Sequence, residues 1–289
     1  MNLPQTSNLR GILFMLAAVA TFSMMDVCLK LLSPHYPAMQ VAALRGLTSL
    51  PLVLTWIALS GGFRQVVSRR WRLHLLRGVL AVAMLAAFAY ALRELPLAEA
   101  YSLFFVAPLL VTALAVPLLG EHVGAKRWAA IVIGLAGVLV VLRPDTGRMF
   151  NLGSLAVLFA ALAYAISAIT VRVLGRTEST QSMVFWMIVL LSMFATAAAW
   201  HDWVALRVAD WPILLGLAIS GALGQYAITE AFKNSDASVV IPFDYTALIW
   251  GITFDALIWH TAPDRMMLVG AAIIVGSGIY LIRRARTPG

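Results

Sequence analysis

The sequence predicts an all-α integral membrane protein of ten transmembrane helices, arranged as two inverted five-helix repeats. Three observations lead there: apolar runs long enough to cross a bilayer, basic residues that collect in alternate loops, and a second half that repeats the first. Of the 289 residues, 62% are hydrophobic and 12% charged, with a mean hydropathy of +0.89. Soluble domains carry about 25% charged residues. So little charge leaves a soluble core uncovered, and lipid must be the outer solvent.

A span needs about 20 mostly apolar residues, because a helix rises about 1.5 Å per residue through about 30 Å of hydrocarbon. Ten segments qualify: 11–32, 38–60, 73–92, 97–118, 126–142, 152–173, 181–200, 211–231, 237–258 and 266–283. Turn or charge signals separate them, among them Ser33-Pro34, Gly61-Gly62, Gly120-Glu121, Arg143-Pro144, His201-Asp202 and Ala262-Pro263-Asp264. The N-terminal run reaches Asp26 and Lys30 without a small-residue cleavage motif, so the first helix is expected to stay in the protein.

Orientation follows the bias of Lys and Arg in short loops. With the N-terminus inside, the inner side collects Arg10, Arg64, Arg69, Arg70, Arg72, Lys126, Arg127, Arg172, Arg176, Lys233, Arg283, Arg284 and Arg286. The outer side collects Lys30, Arg93, Arg143, Arg148, Arg207 and Arg265. Thirteen against six puts both termini in the cytoplasm, and an even number of spans places them on one side. These clusters also explain the net charge of +8 without an extended basic face, so no nucleic-acid partner is expected.

Residues 98–143 can be laid on 237–284, and upstream Gly11 and Lys30 match Gly153 and Arg172. The predicted units are therefore 1–143 and 144–289. Five helices per unit is an odd number, so the second enters the membrane upside down relative to the first.

The halves, the segment PLLGEHVGAKRWAAIVIGLAGVLVVL at 117–142 and its counterpart at 242–282 resemble the drug/metabolite transporter superfamily, specifically its EamA-type ten-helix members. Gly120-Glu121 fits the Gly-Glu pair typical after the fourth helix of a repeat, while Trp259-His260 stands at the matching place in the second half. The resemblance implies a central cavity lined by the first four helices of each half, and secondary transport of a small molecule across the bacterial inner membrane. An exporter of an amino-acid-like or amino-acid-derived metabolite, including an opine-type metallophore, is the preferred reading. Uptake of riboflavin or S-adenosylmethionine is the alternative, and an integral-membrane enzyme on a lipid-linked substrate is the rival from another class. The chain is expected to work as a monomer or homodimer.

Ionisable groups inside a bilayer are costly and need a partner or a purpose. Asp26 and Arg45 fall at similar depth in the first two helices, either as a structural ion pair or as a cavity wall. There Arg45 would hold a substrate carboxylate and Asp26 an amine or a proton. Asp244 in helix nine has no cation one turn away on its own helix, which suits proton or cation binding; pairing with Arg172 or Lys233 is the structural alternative. Tyr90, Tyr101, Phe105, Tyr164, Trp186, Tyr226, Tyr245 and Trp250 supply rings and phenols for a ligand, with Gln225 as an amide. Lys30 and Arg77 are expected to snorkel, and Glu230 to be solvated at the interface. Pro108 and Pro242 interrupt helices four and nine, and Gly134, Gly137 and Gly270 allow close packing. One cysteine, Cys28, excludes a disulfide or a Cys-based metal site within the chain, and no metal or cofactor is expected. A Walker loop, HExxH and G-x-S-x-G are missing, so the chain is read as no enzyme and no ATP-driven pump.

Overall fold

The backbone of an apolar run in lipid has no water to bond, so it closes its hydrogen bonds within helices. The computed structural model describes residues 5–68, 70–94, 103–142 and 152–260, with further helical residues between 265 and 277; no strand occurs among them. The helices are α1 (Gln5–Leu32), α2 (Ala38–Leu59), α3 (Trp71–Glu94), α4 (Ala107–Leu119), α5 (Ala125–Leu142), α6 (Leu152–Leu174), α7 (Thr180–Ala199) and α8 (Trp211–Asn234). The next span, α9 (Ala237–Ile258), is discontinuous: an α turn at Ala237–Val240, a 3₁₀ stretch at Ile241–Thr246 and an α-helix at Ala247–Ile258. Among the described residues, α1, α2, α3, α6, α7, α8 and α9 contain the seven segments long and apolar enough to cross a membrane, so the protein is multi-pass.

Local chemistry sets the ends. Ser179 precedes α7 and its hydroxyl oxygen accepts from the Ser182 N–H at 3.0 Å, satisfying one of the unpaired donors of the first turn. Gly120, at φ 68°, closes α4 in the left-handed conformation that a glycine adopts without strain. Pro242 has no N–H to give, and the chain there runs as 3₁₀ helix. Pro108 departs from expectation. Leu103 and Phe104 are helical, Phe105 and Val106 form a turn, and α4 begins at Ala107. Pro108 therefore lies in a first turn, where its missing donor costs nothing, and not in a helix interior. Most of the predicted span 266–283 lies outside the described residues.

Helix packing has a simple symmetry. α1 packs on α8 as α6 packs on α3; α2 packs on α8 as α7 packs on α3; α4 packs on α6 as α9 packs on α1; and α2 packs on α7. Exchanging the first four helices of one half for those of the other leaves this pattern unchanged. Arg10, at the start of α1, lies 3.8 Å from Glu230 of α8, and Arg172, at the end of α6, lies 2.8 Å from Asp236 just beyond α8. The start of α1 and the end of α6 thus share one face, here called the basic face, and the two helices run in opposite directions. Beneath that face lies the largest buried apolar cluster, with Ile12 and Met15 of α1, Val111 of α4, Ile169 and Leu174 of α6, and Phe232 of α8. Small residues let the helices approach: a Cβ on Gly46 of α2 would sit 2.4 Å from the Ser192 hydroxyl of α7.

Candidate functional site

Two assemblies inside the spans bring predicted residues together. The first forms where α9 is broken. The Tyr164 hydroxyl of α6 donates to Asp244 Oδ2 in the 3₁₀ stretch at 2.6 Å. Phe104 lies against Tyr164 with ring centroids 5.6 Å apart, and Phe105 meets Tyr245 edge-on at 5.6 Å. Tyr245 is 1% exposed and its hydroxyl has no hydrogen-bond partner among the described residues. It rests on Gly134 of α5, where a Cβ would come within 2.7 Å of the ring. The predicted alternatives for Asp244 are engaged elsewhere: Arg172 with Asp236, and the Lys233 ammonium with the Thr180 hydroxyl at 3.1 Å. A phenol, not a cation, holds Asp244.

The second assembly surrounds Arg45 on α2. Its guanidinium lies 5.5 Å over the ring of Phe22, and Asp26, one turn along α1 from that ring, supplies the negative charge that acts on it. Arg45 is buried, and its Nε has no hydrogen-bond partner among the described residues. The facing surface of α8 is glycine. A Cβ on Gly224 would fall 2.6 Å from the Phe22 ring, and one on Gly221 would meet the Ser49 hydroxyl at 2.9 Å. In low dielectric a guanidinium held by a ring and one acid retains donors for an anion.

The other predicted residues lie apart from these. Tyr226 packs edge-on against Phe14 at 5.9 Å and Trp56 at 5.3 Å. Gln225 is buried and engages its own helix, its amide Nε2 donating to the Thr229 hydroxyl at 3.4 Å. Trp186 lies toward the basic face and donates its indole N–H to the Val66 carbonyl at 2.9 Å. Tyr90 and Trp250 are more than a third exposed, Trp250 stacking on Phe254. Tyr101 lies outside the described residues. An open groove of about 680 Å³ between α2 and α7, lined by Leu47, Leu50, Val189, Met193 and Trp200 among others, contains none of the predicted site residues.

Two readings are corrected. Arg77 does not snorkel: it is 2% exposed and donates to the Met183 carbonyl at 3.3 Å. Glu230 is not solvated: it is 8% exposed and accepts from the Thr180 hydroxyl and, at 2.8 Å, from the Asn234 amide. A third polar group escaped sequence reasoning. His74 Nε2 lies 3.6 Å from Glu178 Oε2, with both side chains buried. His74 and Arg77, three residues apart within one apolar span, were the signal: two costly groups on one helix face. Trp259-His260 differs from Gly120-Glu121 in detail, because the left-handed residue is His260, at φ 54°.

The whole chain has relatives. The profile of the EamA-like transporter family matches residues 9–143 and again 151–284. Among curated proteins, a pseudopaline exporter of Pseudomonas aeruginosa is 26% identical over 94% of this chain and 96% of its own. A riboflavin transporter of Vibrio cholerae is 30% identical over 94% and 93%, and an S-adenosylmethionine uptake transporter of Rickettsia prowazekii 28% identical over 95% and 92%. A solved crystal structure superposes with a TM-score of 0.81 at 19% identity, covering 98% of this chain and 99% of that one, a likeness of fold.

Proposed function

Because this chain belongs to the EamA-like transporter family, we propose that it is a ten-helix secondary exporter of an amino-acid-derived small molecule, with halves 1–143 and 144–289 inverted across the inner membrane. Both termini face the cytoplasm, on the side that collects the basic loops. The chain is no enzyme, and it functions as a monomer or homodimer.

The observation that carries the substrate class is Arg45, a buried guanidinium stacked on Phe22 beside Asp26, with an Nε that is unpartnered among the described residues. Such a group holds a carboxylate, and the neighbouring acid suits the ammonium of the same solute. A zwitterionic product with several carboxylates, of the opine metallophore class, fits this pair and agrees with the likeness to the pseudopaline exporter. Asp244, on the broken stretch of α9 and bonded to Tyr164, is the coupling carboxyl: it exchanges a proton as the half-helix moves. A second reading, uptake of a planar solute such as riboflavin or S-adenosylmethionine, draws on the ring cluster of Phe14, Trp56 and Tyr226.

Metabolite profiles of cells with and without the gene identify the solute, and purified protein in liposomes, with and without a pH gradient, measures its flux. Opine-type solute driven outward by an inward proton gradient supports export; flux of riboflavin or S-adenosylmethionine alone supports the second reading, and no flux of any solute sinks both. Exchanging Asp26 and Arg45 between their positions separates structure from recognition. Recovery of activity lost in the single variants means a structural pair, whereas recovered folding without transport means ligand contacts.

A further inference from the structure

Each face of the molecule is tied across the halves by a clamp between loops. On the basic face, the turn between α6 and α7 grips the loop between α2 and α3. Glu178 Oε1 accepts from the Ser68 hydroxyl at 2.8 Å and the Arg70 N–H at 3.2 Å, and the Ser179 hydroxyl donates to the Gln65 carbonyl at 2.7 Å. On the opposite face, the turn between α1 and α2 grips the loop between α7 and α8. There the Tyr36 hydroxyl donates to Asp210 at 2.7 Å and accepts from the Arg207 N–H at 2.9 Å, while Gln40 exchanges two bonds with the Val204 backbone, at 2.6 and 2.8 Å. The exchange of helices that maps α1 onto α6 maps one clamp onto the other.

The two clamps differ in chemistry. Behind the Glu178 carboxylate stands His74, with Nε2 3.6 Å from Oε2; the two side chains are 1% and 3% exposed. Among the described residues, neither imidazole nitrogen has a hydrogen-bond partner. Glu178 Oε2 also accepts from the Ser182 hydroxyl at 2.7 Å, which fixes the carboxylate in place. Among the described residues, the charged groups facing the imidazole are Glu178 from the α6–α7 turn and Arg77 from its own helix. From α7 the facing group is the uncharged ring of Trp186 at 6.2 Å. On the α2–α3 loop Arg64 and Arg70 are exposed, and on α8 Glu230 and Lys233 both bond Thr180.

We propose that His74 and Glu178 form a proton-binding site that sets the strength of the basic-face clamp. A neutral imidazole is buried there with both nitrogens unsatisfied, an arrangement that costs free energy. A protonated one is an ion facing a fixed carboxylate, and their attraction draws α3 and its preceding loop onto α7. The clamp is therefore tight when the imidazole carries a proton and loosens when the proton leaves. Its counterpart is built on Tyr36 and Gln40, with no imidazole in its described hydrogen bonds. The proton alters the balance between the two faces of an inverted-repeat protein.

The site is separate from Asp244, and its test needs no knowledge of the carried solute, so failure of one reading leaves the other standing. Spin labels are placed at the exposed Arg64 and Arg176, as Arg64→Cys and Arg176→Cys in a Cys28→Ala full-length chain in lipid nanodiscs. Distances are then read by pulsed electron resonance at about pH 4 and about pH 8. The short-distance population should fall by about half between them. His74→Gln should show the alkaline distribution at both pH values, and Tyr36→Phe should leave the pH response intact. A distribution that does not move with pH, or a response that survives His74→Gln, overturns the proposal. If that variant fails to fold, Glu178→Gln keeps shape and acceptor without the charge, and a response that persists in it overturns the proposal equally.

Discussion

Replacing Glu121 by alanine should unfasten the first turn of α9. After α4 the left-handed Gly120 turns the chain, and both oxygens of Glu121 reach backbone donors, Ala237 N–H at 2.8 Å and Ser238 N–H at 3.0 Å. These are first-turn donors with no partner inside the helix. A lost cap costs about 1 kcal/mol, and a hydrogen bond to a charged acceptor is worth about 1.5–3 kcal/mol when fully buried. Glu121 is half-buried, so water screens part of this and a total of about 2 kcal/mol is appropriate. At about 1.4 kcal/mol per factor of ten, that is a change of about 30-fold in the local opening equilibrium. Hydrogen exchange on the full-length protein reads it directly: the Ala237 and Ser238 amides should lose about 30-fold protection while peptides from α2 and α7 keep theirs. Glu121→Gln, which retains an oxygen acceptor, should lose less. Unchanged exchange at those two amides in Glu121→Ala would refute the capping argument.

Other outcomes follow from the same geometry. Gly224→Ala forces a methyl to 2.6 Å from the Phe22 ring and should cost about 1–3 kcal/mol of stability by overpacking, measured by unfolding in mixed micelles; an unchanged transition would count against the packing. His260→Gly removes a side chain from a left-handed position and should stabilise the end of α9 by about 1 kcal/mol, seen as a higher melting temperature. Asp244→Asn should abolish the dependence of solute flux on a pH gradient, and Tyr164→Phe should weaken it while leaving the fold intact; flux that responds to the gradient as before in Asp244→Asn removes that residue from the coupling role.

Most of the helix pattern was legible because each span is a continuous apolar run and the bilayer sets its length. The break in α9 was legible through Pro242, which withholds a donor, but Pro108 was misplaced, because sequence gives no sign that the chain turns at Phe105. The same asymmetry governs the sites. Asp26 and Arg45 could be matched by depth along two adjacent helices. The partner of Asp244 could not be found by spacing, because Tyr164 is 80 residues away on α6 and an uncharged phenol gives no charge signal. Arg77 and Glu230 were misread for the converse reason. A long charged side chain near a helix end snorkels unless another helix covers it, and α7 covers both: through the Met183 carbonyl in one case and the Thr180 hydroxyl in the other.

The repeat gives the two assemblies a common origin. Gly11 and Lys30 align with Gly153 and Arg172, and the same offset lays Phe22 on Tyr164. In α1 that ring lies under the guanidinium of Arg45; in α6 the equivalent ring, with one oxygen more, bonds the carboxyl of Asp244. One ring position thus serves as a cation's platform in one half and a carboxyl's donor in the other. A ring face attracts a cation, whereas a phenol hydroxyl can donate to a carboxyl, so the difference of a single oxygen follows the group each ring holds. Phe22→Leu should therefore loosen Arg45 and weaken solute affinity by about fivefold, from the loss of about 1 kcal/mol of cation–π attraction, with the pH dependence of flux unchanged. Tyr164→Phe should do the reverse, sparing affinity and altering the pH dependence. If both variants change both properties alike, the two ring positions act as one site, and the division of labour between the halves is wrong.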